Sequence, residues 1–211
     1  MIPTIYLVED DEAVRSGLAT LLSNHGYHVS AFASGQDFLQ SSHSKLGPGC
    51  VVLDLKLPGM SGLSVQDELI AHGIDLPVIF MSAYATVPES VKAMKTGAAD
   101  FLQKPFAGQV LLERIQEVLE RDRGAREKHS AQEHARELYR RLTHREQEVA
   151  RLVVSGHTSK DIAQVLGISP RTVDHHRTSI LVKVQVESIA ELAVLVAAVA
   201  TEDRESTEPP R

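Results

Sequence analysis

CVVLDLKLPGMSG, residues 50–62, decides how the first half of the chain folds. The apolar run Val51, Val52, Leu53 stops abruptly on Asp54; Lys56, Pro58 and Gly59 follow. A short, β-branched run without a helical period reads as a strand covered on both faces. Strands of that kind belong to open parallel sheets, whose ligands bind beyond the carboxyl ends of the strands. Asp54 therefore stands where such a sheet presents its chemistry.

The flanking sequence repeats the pattern. Strand-like runs fall at TIYLV (4–8), YHVSAF (27–32), PVIFMS (77–82) and ADFL (99–102). Helical patterns alternate with them: Val14, Leu18, Leu21 and Leu22 before Gly26; GQDFLQ (35–40); Leu63, Val65, Leu69 and Ile70 before Gly73; ESVKAMKTG (89–97); GQVLLERIQEVLER (108–121). Five strand–helix pairs predict an α/β domain over 1–121, a doubly wound five-stranded parallel sheet with helices on both faces. Residues 122–142 are charged and poor in apolar side chains. They read as a largely helical linker, or as flexible coil, since Gly124 and Ser130 weaken a helix.

From 143 the pattern is helical only. Thr143 and Glu146 have capping-box spacing ahead of Val149, Leu152 and Val153. SKDIAQVLG ends on Gly167; Ser169 and Pro170 then supply an N-cap and a first helical residue. ESIAELAVLVAAVA (187–200) closes an all-α domain over 143–200, and the polar tail 201–211 is expected to be disordered.

Composition narrows the functions. The chain has 211 residues, no Trp and one Cys, Cys50, so no internal disulfide framework exists. The N-terminus does not read as a secretory signal, and no run reaches membrane-span length. The expectation is a soluble cytosolic protein with no membrane contact. Net charge is −6, but residues 1–120 carry 7 Lys and Arg against 14 Asp and Glu, and residues 121–211 carry 15 against 14. The acidity belongs to the first part, which leaves nucleic acid open as a partner for the second.

The strand ends gather one kind of chemistry. The first strand is followed by Glu9, Asp10, Asp11 and Glu12; the third ends in Asp54, the fourth in Ser82, and Lys104 follows the fifth. Clustered carboxylates repel each other unless a hard cation sits among them, and Mg²⁺ takes oxygen ligands of this kind. A carboxylate can act as nucleophile and become an aspartyl phosphate, and the phosphoryl group then needs charge neutralisation. Singly, each residue has a plainer reading. Asp11 and Glu12 suit a first helical turn, Lys104 a surface, and Asp54 a turn. Such residues on four strand ends favour the chemical reading.

Through VEDD, VVLDLKLPGMSG, MSA and FLQKPF, residues 4–121 resemble the receiver domain of two-component response regulators. The resemblance implies a flavodoxin-like sheet of order 2-1-3-4-5, with Asp54 the phosphoacceptor. It implies Mg²⁺ held by Asp10, Asp54 and the backbone carbonyl of Lys56, with Glu9 acting through water. It gives Ser82 and Lys104 the phosphoryl group and makes Phe101 a switch residue. Phe101 and Glu9 depart from the commoner Tyr and Asp. Lys56 and Tyr84 lie where such domains vary.

In the second part, Ala163, Gly167 and Val173 have the spacing of a helix-turn-helix. Ala163 lets helices cross closely, Gly167 allows a left-handed turn, and Val173 with Ile162 packs the pair. A small helical bundle used for protein contacts has the same outline. LTHREQEVARLVVSGHTSKDIAQVLGISPRTVDHHR tips the balance, because 143–199 resembles the four-helix LuxR-type DNA-binding domain. The resemblance has Asp174, His175 and Thr178 face bases and Lys160, Arg171, Thr172, Arg177 and Lys183 hold backbone. Asp174 departs from the commoner Glu, which bears on target sequence rather than mode.

The combination resembles the FixJ/NarL class. It implies a phosphorylation-dependent regulator of transcription, an activator. Its partners would be a sensor histidine kinase, double-stranded DNA and RNA polymerase, with homodimerisation through residues 84–103. It implies no enzyme acting on an outside substrate; a phosphatase of this topology would carry a second Asp at position 56, which is Lys. A DNA-binding protein whose receiver only docks is the remaining rival.

Overall fold

The computed structural model describes residues 2–42, 46–83 and 87–205. The chain forms two compact units, Met1–Gly124 and Ala125–Arg211.

In the first unit, β1 (Thr4–Val8), β2 (His28–Phe32), β3 (Gly49–Asp54), β4 (Val78–Ser82) and β5 (Asp100–Gln103) form one sheet of order β2-β1-β3-β4-β5. All four pairings are parallel. The helices are α1 (Glu12–Asn24), α2 (Gly35–Ser42), α3 (Gly62–Ala71), α4 (Val87–Lys95) and α5, which starts at Gly108. Successive strand side chains point to opposite faces, and the sheet sorts its apolar residues accordingly. Tyr6, Val8, Val51, Leu53, Val78 and Phe80 pack with Phe38 of α2, Val65 and Leu69 of α3, and Ala93 of α4. Ile5, Leu7, Cys50, Val52, Ile79 and Met81 pack on the other face with Leu22 of α1 and Leu111 and Ile115 of α5. That double coverage is why the strands read as unbroken apolar runs. Cys50 is wholly buried, and burial pushes its thiol up to about 12. It behaves as a small core hydrophobe.

The chain leaves β1 toward β2 on one side and takes up β3 on the other. The carboxyl ends of β1 and β3 thus flank the topological switch point, where an open sheet leaves a crevice.

α5 runs from Gly108 to Arg140 without interruption, through Gly124 and Ser130. The segment read as a linker is therefore helical as far as Arg140. Its later residues are also part of a core, since Ala135, Leu138 and Leu142 are buried with the second unit's helices. Those helices are α6 (His144–Val154), α7 (Ser159–Leu166), α8 (Pro170–Lys183) and α9 (Ile189–Glu205). Val149, Ala150, Ile162, Ala163, Val173 and Ile180 pack together at its centre. Thr143 and Glu146 close a capping box on α6, and Ser169 caps α8 with Pro170 behind it. Gly167 ends α7 in the left-handed region at φ 66°, where a residue with Cβ is disfavoured. α9 continues to Glu205, past the expected end at 200, so five residues expected in a disordered tail are helical; 206–211 lie outside the described residues. Among the described residues, no helix is long and apolar enough to cross a membrane.

Candidate functional site

Four of the five strand ends deliver a residue to one rim. Glu9 follows β1 and is 2% exposed; Asp54 ends β3 at 7%; Ser82 ends β4 at 1%. Lys104 follows β5, and its backbone N–H donates to the Ser82 carbonyl at 2.8 Å, which draws the β5 loop over the end of β4. The Lys104 ammonium donates to Glu9 Oε2 at 2.6 Å and to Asp54 Oδ2 at 2.5 Å. Asp54 Oδ1 accepts from the Lys56 backbone N–H at 2.8 Å. Burial is the main influence on Glu9 and raises its pKa; Lys104 offsets this in part. For Lys104 burial acts downward, but the bonds to Asp54 and Glu9 outweigh it, and the ammonium is held above its ordinary value. The lysine is a fixed positive charge against two nearly buried carboxylates.

Glu9, Asp10 and Asp54 each offer one carboxylate oxygen, all within 4.8 Å of one another. An all-oxygen set with an exposed member suits a hard cation such as Mg²⁺, which binds through a few carboxylates and keeps several waters. These residues therefore fit that ion. Asp11 is not part of the group. It caps α1, accepting from the Val14 N–H at 3.0 Å, as a first-turn acid would. Gly62 makes the site possible in another way, since a Cβ there would lie 2.4 Å from the Asp54 carbonyl oxygen. Arg15 escaped the sequence reading. Its guanidinium donates to the carbonyls of Glu9 at 2.7 Å and Asp10 at 3.0 Å, bracing the loop after β1. Phe101 is half-buried beside the core under β4 and β5. Tyr84 lies outside the described residues.

In the second unit, Arg171, Thr172, Asp174, His175 and Thr178 are exposed on α8, Lys160 is exposed on α7, and Arg177 is half-buried. Asp174 accepts from Ser159 Oγ at 2.7 Å. Lys183 is ion-paired with α6. Its ammonium donates to both oxygens of Glu146, at 2.8 and 2.7 Å. Glu146 is 4% exposed and also accepts from Ser179 Oγ at 2.8 Å and from the Thr143 N–H at 2.8 Å. Burial works against its ionisation, but Lys183 with the Thr143 and Ser179 bonds prevails and lowers its pKa to about 2. Arg145, also unnoticed in the sequence, donates to the Leu166 carbonyl at the end of α7 and to Glu148 at 2.9 Å. These bonds fix α7 and α8 on α6.

Comparison with known proteins matches residues 5–116 to the response regulator receiver domain and residues 140–196 to the LuxR family of bacterial regulatory proteins. Nodulation protein W of Bradyrhizobium diazoefficiens is 39% identical over 188 residues, 89% of this chain and 82% of that protein. The transcriptional regulatory protein FixJ of Azorhizobium caulinodans is 38% identical over 201 residues, 94% of this chain and 95% of that one. Among solved structures, the response regulator StyR superposes with a TM-score of 0.80 at 39% identity, covering 93% of this chain and 99% of that chain. Full-length FixJ from B. japonicum superposes with a TM-score of 0.62 at 32% identity, covering 93% and 97%. With a receiver fold at one end, a LuxR-type helical domain at the other and relatives along nearly its whole length, the chain belongs to the FixJ/NarL-type response regulators of two-component systems.

Proposed function

We propose that Asp54 accepts a phosphoryl group from a sensor histidine kinase and that this event governs DNA binding by the second unit. The observation that carries the reading is the placement of Asp54. It is nearly buried at the switch point, shares a 4.8 Å cluster with Glu9 and Asp10, and touches Lys104 at 2.5 Å. Its carboxylate oxygen attacks phosphorus as the phosphorus–nitrogen bond of the donor breaks. Lys104, bonded to Asp54 at 2.5 Å, would balance the added charge, and Ser82 at the end of β4 would donate its hydroxyl to a phosphoryl oxygen. Asp10, Asp54 and the Lys56 carbonyl, with Glu9 behind, would hold Mg²⁺, which would supply the remaining charge neutralisation. The protein turns over no outside substrate.

Phosphorylation then draws on Ser82 and shifts Phe101, and the face 84–103 pairs with a second copy. Residues 84–86 of that face lie outside the described residues. The exposed apolar side chains Val91 and Met94 on α4 support the reading. Two copies of α8 on one duplex bind more tightly because the second contact is intramolecular. The dimer acts as an activator, in the cytoplasm, through RNA polymerase. The test is solution molar mass with Mg²⁺, with and without beryllofluoride, for wild type and Asp54→Ala. A dimer formed by the wild type alone is expected. If neither protein shifts, pairing is not the output of Asp54.

A further inference from the structure

Asp174 is exposed near the start of α8, a place where a carboxylate faces a polyanion once DNA is bound. The structure does not leave it loose. Ser159 Oγ, in the first turn of α7, donates to Asp174 Oδ1 at 2.7 Å, and Arg177 Nη1 lies 3.5 Å from that same serine oxygen. One turn further on, Thr178 Oγ1 gives its only proton to the Asp174 carbonyl at 3.2 Å. Asp174 and Thr178 are spaced i,i+4 and share one helix face. What each still has to offer is acceptor capacity alone: Oδ2 of Asp174 and the lone pairs of Thr178 Oγ1.

A pair of acceptors selects among bases. In the major groove cytosine presents a donor, N4, and no acceptor; adenine sets N7 beside its N6 donor; guanine and thymine present acceptors. We propose that Ser159 is a positioning residue that orients Asp174 to accept from cytosine N4, making this pair the determinant of a C·G base pair in the operator. The proposal deepens the reading of α8 as the base-reading helix and rests on it. Ser159 is dispensable for folding of α7, because Thr158 and Asp161 form that helix's capping box.

The test uses the full chain with Mg²⁺ and beryllofluoride. Duplexes are selected from a random-sequence pool by wild type, Ser159→Ala, Asp174→Ala and the double variant, and affinities are compared on single-pair substitutions. Wild type should prefer cytosine at one pair by about tenfold. Asp174→Ala should lose that preference, Ser159→Ala should reduce it to about threefold at the same pair alone, and the double variant should match Asp174→Ala. Ser159→Thr should restore it. The proposal is overturned if Ser159→Ala weakens all duplexes equally with the cytosine preference intact, or if the pair that Asp174→Ala affects is not a cytosine. If Asp174→Ala, His175→Ala and Thr178→Ala all leave every base preference unchanged, α8 does not read bases, and the parent reading falls with it.

Discussion

Lys104 is the residue that would compete with a cation for the acidic rim. Its ammonium bonds Glu9 at 2.6 Å and Asp54 at 2.5 Å, and these two carboxylates also belong to the oxygen cluster that suits a divalent cation. A lysine and a cation would therefore draw on the same negative charge. In Lys104→Met, two nearly buried carboxylates lose their counter-charge. Without divalent ions the variant should be less stable by about 3 kcal/mol, as for other buried pairs stripped of one partner. Its Mg²⁺ affinity should rise severalfold, read by titration calorimetry, and Mg²⁺ should recover much of the lost stability. An unchanged affinity would mean that ammonium and cation do not share ligands. The rim itself was legible in the sequence, because strand ends can be located from apolar runs and the residues there are chemically loud. Arg15 was not, since it bonds backbone carbonyls, which carry no residue-type signal. The Glu146 partner of Lys183 was not legible either, since a cation on α8 carries no sequence signal for a buried glutamate 37 residues away.

Between elements, that glutamate joins α6 to α8 beside their packed apolar faces. Glu146 is held ionised down to about 2, below its ordinary 4.5. A carboxylate depressed in the folded state contributes stability that is fully present above its unfolded value. The contribution fades as pH falls from about 4.5 toward 2. Amide protection in α6 and α8, measured by hydrogen exchange on the full chain, should therefore decline through that window. Glu146→Gln should lose about 2 kcal/mol at neutral pH and show little of the decline, because charge-assisted bonds are replaced by neutral ones. If the variant keeps the full acid sensitivity, the dependence arises elsewhere. α5 poses the complementary case. Its middle residues are exposed and charged, so no apolar period announced a helix, and the sequence left coil open. The helix forms nonetheless, with exposed pairs such as His129–Glu133 at 3.6 Å along it and Ala135 and Leu138 buried at its far end. Gly124 is a weak point with open space around its Cα. Gly124→Ala should stabilise the helix by about 1 kcal/mol, seen as a higher melting temperature at unchanged fold. A loss of stability there would show that the chain needs glycine's freedom at this point.

For the whole molecule, charge decides how DNA binding must work. Residues 1–120 hold twice as many acids as bases, and residues 121–211 are close to balanced, so the protein has no basic surplus to fasten it to DNA without specificity. With Lys183 engaged by Glu146, the cations expected at phosphates reduce to Lys160, Arg171 and Arg177. Each phosphate neutralised contributes about −0.9 to the slope of log affinity against log salt on duplex DNA. One copy should therefore give a slope of about −3 and two copies about −5, a difference that counts protomers without any knowledge of the operator. Fluorescence anisotropy on a duplex selected by the protein, from 50 to 200 mM salt (about the range in which such slopes are read), should show the smaller slope at rest. The larger one should appear with Mg²⁺ and beryllofluoride, and Asp54→Ala should keep the smaller one in both conditions. A wild-type slope that stays near −3 while affinity rises would place the gain within one protomer. Asp54 would then act by changing how a single α8 meets its site rather than by bringing a second one.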